Sequence, residues 1–139
     1  MGCELCEQTG GTLLEEDARC RVVLVEEDDY PGFCRVIWKH HVKEMTDLSN
    51  TDRLHMMMIL FAVETSIRET LQPEKINLAS LGNMTPHLHW HIIPRYIQDK
   101  HYPQPIWGTI QRPGKSSLPL DWKVRLMESA GMKLKEIFK

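Results

Sequence analysis

This 139-residue chain lacks any apolar run approaching the ~18 residues needed to span a bilayer, so no membrane partner is expected. The N-terminal MGCELCEQTGG has neither a basic segment nor an apolar core. That argues against a secretory signal and makes the cytoplasm the expected compartment. A basic stripe is also missing. The 17 Lys and Arg are scattered among 19 Asp and Glu, for a formal net charge of −2. A nucleic-acid partner is therefore not expected, although histidines and backbone amides can hold a small phosphorylated ligand without a basic surface. Cysteine is scarce, with four residues at 3, 6, 20 and 34, and in a reducing compartment they do not suggest a disulfide framework. Repeats and low-complexity segments are absent, and the length suits one domain over 1–139.

What is present reads mainly as strand. TLLEED and CRVVLVEE form two candidate strands, DDYPG a turn, and FCRVIWK a third strand. From Asp52 to Leu71, apolar residues at Leu54, Met57, Met58, Phe61 and Leu71 predict a helix buried on that face, ended by Gln72-Pro73. KINLASLGN and HLHWHII supply a fourth and a fifth strand. The Pro- and Gly-rich stretch from His101 to Pro119 predicts a surface loop, and LDWKVRLMESAGMKLKEIF a second helix. Without regular strand–helix alternation, the class is α+β with a largely antiparallel sheet.

The fifth strand carries the chemistry. Alternation places His87, His89 and His91 on one face and Leu88, Trp90 and Ile92 on the other. The second face is core; no packing requirement selects three imidazoles for the first. Same-face neighbours lie roughly 6.6 Å apart, whereas zinc needs its nitrogens within about 2.1 Å. All three therefore cannot ligate one ion. A row of imidazoles suits an extended polyanion, with one of them near neutrality and able to act as nucleophile.

HLHWHII followed by PRY resembles the histidine-triad motif. PGFCRVIWKHHVKEMTDLS resembles the strand-to-helix segment of that family, and CELC its Cys-x-x-Cys opening. The resemblance is strongest over residues 3–97, with 98–139 a C-terminal loop and helix. It implies a five-stranded antiparallel sheet with two helices, commonly paired as a homodimer. It implies a nucleotide hydrolase or transferase acting at an α-phosphorus through a nucleotidyl-histidine. His89 would be the nucleophile, His91 would bond phosphate or bridging oxygen, and His87 would sit behind. Zinc-bearing members imply a structural site of Cys3, Cys6, His41 and His87, with His41 preferred to His40 from its register before Val42. No organic cofactor is implied. Phe33 stands where many members have histidine, and GNMTP where many have Gly-Gln-Ser or Gly-Gln-Thr, which leaves the leaving group open.

Asn77, Asn83 and Thr85 are candidate substrate contacts, with turn chemistry the competing role for Asn83. Glu26 resembles the family's ribose acid, against a plain surface acid. Arg95 either reaches phosphate or simply ends its strand. Trp107 is the tryptophan to test as a base platform; Trp38, Trp90 and Trp122 read as core or edge. Two other functions compete with the enzyme: a metal site on His89 and His91 with a distant third ligand, and a nucleotide-binding protein with weak activity, which Phe33 favours.

Overall fold

The computed structural model describes residues 2–138. Five strands, β1 (Thr12–Glu16), β2 (Cys20–Leu24), β3 (Cys34–Trp38), β4 (Lys75–Ala79) and β5 (His89–Arg95), form one sheet in the order β1-β2-β3-β5-β4, every pair antiparallel. Three helices accompany it: the short α1 (Glu4–Glu7), the long α2 (Asn50–Leu71) and α3 (Trp122–Ile137). The α+β expectation holds, with α1 an addition to the two helices the sequence predicts.

The sheet has two unlike faces because its central strands alternate. Val22, Leu24, Val36, Leu88 and Ile92 point to one side and meet α2 and α3 in the main core. Val23 and Ile37 point to the other, where Leu5 of α1 caps them. Cys20 and Cys34 are fully buried thiols, and burial pushes the pKa of both up to about 12. The turn into β3 depends on Gly32. It adopts φ +93°, and a Cβ there would come within 2.4 Å of Leu71 Cδ1.

Helix α2 is capped by Ser49, whose hydroxyl accepts from the Asp52 amide at 3.2 Å. It ends at Gln72 in the left-handed conformation, just before Pro73. Its buried face differs from the one the sequence suggested. Met56, Ile59, Leu60, Val63, Ile67 and Leu71 enter the core, while Leu54, Met58 and Phe61 are exposed and Met57 is only partly buried. The helix is apolar on both sides, so periodicity alone did not single out the face that meets the sheet.

The segment after β5 is more than a surface loop. Arg95 is 2% exposed and forks onto Asp99, with bonds of 2.7 and 3.0 Å. Its guanidinium lies between the rings of Tyr30 and Tyr102 and also donates to Asn77 Oδ1 and the Gln104 carbonyl. Burial pushes the Asp99 carboxyl up, but Arg95 and the amides of Tyr96 and Tyr102 more than offset this, leaving it below the usual range. His101 is buried beside Tyr30. Arg95 thus neither ends its strand idly nor faces solvent: it anchors the 98–112 loop.

Candidate functional site

The histidine row divides where β5 begins. His89 and His91 lie on the strand, on the same face as Ile37 and Arg35 of β3, their register partners. His87 precedes the strand, and its ring turns toward the N-terminus. Its Nε2–H donates to the Trp38 carbonyl at 2.5 Å, which leaves Nδ1 as a lone pair. That lone pair faces Cys3 Sγ at 3.4 Å, Cys6 Sγ at 3.4 Å and His41 Nδ1 at 3.1 Å, while Cys6 Sγ is 3.3 Å from His41 Nδ1.

The four ligand atoms lie within 4.8 Å of one another. A tetrahedral zinc site has ligand–ligand edges of roughly 3.4–3.8 Å; the four short separations of 3.1–3.4 Å are close to these, and two thiols with two imidazoles are a donor set that suits zinc. His40 is not among the four. Among the described residues this is the one group of three or more such ligands drawn together. Among the described residues no third ligand joins His89 and His91 for the competing metal arrangement.

His89 is 7% exposed, and its orientation is set by the chain itself. Its Nδ1–H donates to the His87 carbonyl at 2.6 Å, leaving Nε2 as the lone-pair nitrogen. Burial lowers its pKa, more than the His87 carbonyl raises it, and Arg35 lowers it further. The ring is neutral near pH 7. His91 stands edge-on to it, with ring centroids 4.8 Å apart. Burial, His89 and Arg35 together bring His91 down to about 4, and its Nδ1 is buried without a partner.

A recess of 240 Å³ opens on these two rings, lined also by Arg35, the 81–85 loop and Trp107. Asn83 and Thr85 are therefore brought to the histidines. Asn77 is not in that lining; its Oδ1 is held by Arg95 at 2.8 Å. Glu26 lies elsewhere, exposed, accepting from Thr12 and Lys123. Phe33 packs its ring against His91 at 5.5 Å and fills the space beside it. Trp107 is 52% exposed, with its ring 5.3 Å from His91, whereas Trp38 is buried in the core and Trp90 and Trp122 pack against it. Arg35 was not anticipated. Its signal was a charge in the interior of FCRVIWK, whose other charge, Lys39, ends the run, at an alternation position that shares the histidine face.

The HIT domain family model matches residues 7–98, about two thirds of the chain, and the match spans β1 to β5 with the histidine row. The chain belongs to the HIT domain family. Solved histidine triad proteins share its fold. One from Bradyrhizobium japonicum has a TM-score of 0.75 at 23% identity, covering 96% of each chain. One from Marinobacter aquaeolei has a TM-score of 0.74 at 24% identity, covering 98% of this chain and 99% of the other. A Zn-bound histidine triad family protein from Mycobacterium smegmatis has a TM-score of 0.64 at 20% identity, covering 98% and 97%. No curated protein matches the sequence significantly. Membership supports a nucleotide hydrolase or transferase of the histidine-triad type, and no helix among the described residues is long and apolar enough to cross a membrane.

Proposed function

We propose that this HIT domain protein transfers a nucleotidyl group to water, or to another acceptor, from a nucleotide conjugate through His89. One observation carries the proposal: the Nδ1–H bond of His89 to the His87 carbonyl, which aims a neutral Nε2 at the recess. In the first step the Nε2 lone pair forms an N–P bond at the α-phosphorus. The bond to the leaving oxygen or nitrogen breaks with its electron pair, and a leaving nitrogen takes up a proton from solvent to depart as the amine. The imidazole then carries a positive charge, stabilised by the carbonyl at Nδ1. In the second step water attacks phosphorus and the N–P bond returns its pair to Nε2. The water proton passes to solvent, and a nucleoside monophosphate leaves.

In this reading His91, Asn83 and Thr85 touch phosphate oxygens and Trp107 meets a planar base, supported by their shared lining of the recess. Asn77 and Glu26 act at most indirectly, Asn77 through Arg95. The tetrahedron of Cys3, Cys6, His41 and His87 holds a structural zinc in this proposal, supported by the bare Nδ1 of His87 and the spacing of the four ligands. Zinc there would fix α1 and the backbone of His87, whose carbonyl sets the His89 ring; it supplies no step of the reaction. The protein pairs as a homodimer.

Mass spectrometry of the protein after brief exposure to dinucleoside polyphosphates and nucleoside phosphoramidates tests the nucleophile. The expected result is one added nucleotide mass on the peptide holding His89. His89→Ala should lose that adduct and at least ~10³-fold in turnover, with its melting temperature kept. A variant that turns over at the parent rate sinks the assignment.

A further inference from the structure

Arg35 is the one charged residue in the lining of the His89–His91 recess. The other arginines near this face are committed elsewhere. Arg95 is consumed by Asp99. Arg21 donates to the carbonyls of Leu5, Gln8 and Thr9, and Arg112 to those of Asp99 and Tyr102. Arg35 makes a single hydrogen bond, from Nη1 to the Gly10 carbonyl at 3.0 Å, and packs over the Phe33 ring. Its Nε is buried with no partner. Among the described residues no carboxylate pairs with it; the exposed Glu4 interacts with it only at longer range.

A guanidinium held half-buried without a counter-ion is costly, and leaving a donor unsatisfied adds to the cost. The fold accepts both beside two histidines. Arg35 stands opposite His91 in the β3–β5 register, and both line the recess together with His89. An anion in the recess would supply the missing counter-charge, because a guanidinium presents a fork that matches phosphate oxygens.

We infer that Arg35 is a specificity-determining residue that binds the phosphate chain beyond the scissile phosphorus, selecting substrates whose leaving group is itself a phosphate or polyphosphate. This rests on the function proposed above and narrows its substrate class. An amine leaving from a phosphoramidate needs a proton. A departing phosphate chain needs counter-charge, and counter-charge is what Arg35 supplies.

Calorimetric titration with a nucleoside diphosphate and the matching monophosphate tests the inference without requiring turnover. The unmodified protein should bind the diphosphate at least ~10-fold tighter, the worth of one charge-assisted bond. Arg35→Gln should bring that ratio close to one, and Arg35→Lys should keep part of it, since a point charge replaces the fork. In turnover, Arg35→Gln should lose about 100-fold in kcat/KM on a dinucleoside polyphosphate and less than threefold on a phosphoramidate. An unmodified protein with no preference for the diphosphate overturns the inference, even if Arg35→Gln fails to fold. So does a folded Arg35→Gln variant that keeps the ratio or loses both substrates equally. If no donor labels His89 at all, the proposed reaction fails, while the binding ratio still decides the role of Arg35.

Discussion

Three imidazoles two residues apart occupy three different environments, and backbone carbonyls do much of the differentiation. Trp38 O takes the Nε2 proton of His87 and bares its Nδ1, whereas His87 O takes the Nδ1 proton of His89 and bares its Nε2. His91 has neither carbonyl and is instead surrounded by Phe33, Trp107 and His89. Burial, His89 and Arg35 bring it down to about 4 from an ordinary 6.5. Between those two pH values the unfolded chain binds a proton at this residue that the native state refuses. Stability from His91 is thus full above the unfolded pKa and falls as the pH drops toward the folded one. From pH 7 to 5 this amounts to about 2 kcal/mol. Urea unfolding of the parent and of His91→Asn should show the parent losing that much more over the interval. Equal slopes would remove the buried-neutral assignment.

A four-residue helix cannot hold itself in water, because nucleation costs more than one turn returns. Helix α1 is held from outside: Leu5 packs on Val23 and Ile37, Arg21 bonds its carbonyls, and Cys3 and Cys6 converge with His41 and His87. If zinc completes that cluster, the purified protein should contain about one zinc per chain by elemental mass spectrometry. Chelation, or Cys6→Ser, should lower the melting temperature by roughly 5–10 °C and open residues 3–10 to proteolysis. Metal-free protein with an unchanged transition under chelator would refute the site. The 98–112 loop shows the same dependence on external anchors. Its Pro-rich composition gave no hint that Arg95 and Asp99 would draw it inward, because that pairing is settled only when Tyr30 and Tyr102 close over the guanidinium.

At the scale of the whole molecule, α2 carries one apolar face into the core and leaves another, Leu54, Met58 and Phe61, in solvent. Strand β4 is an edge of the sheet. An exposed apolar face and an unpaired edge are the features a paired assembly covers, and they support the proposed homodimer. Sedimentation equilibrium at tens of micromolar should return twice the chain mass of 16.2 kDa, and Phe61→Lys should weaken the association at least ~10-fold. A monomeric parent at that concentration would end the proposal.

Order along the chain was enough for the α+β class, the five strands and the crowding of three histidines, because alternation and turn chemistry are local properties. The resemblance of HLHWHII to one family was likewise written in adjacent residues, and the family match over residues 7–98, which contains it, bore it out. Apart from the set Cys3, Cys6, His41 and His87, which the family resemblance implied, what depended on distant segments meeting had to await the fold. Which face of α2 is buried depends on where the sheet lies. The uses of Arg95 and Asn77 depend on a loop that returns from residue 99. Arg35 joins the histidines only because β3 and β5 pair with Arg35 opposite His91, and strand pairing between distant residues leaves no mark on either strand alone.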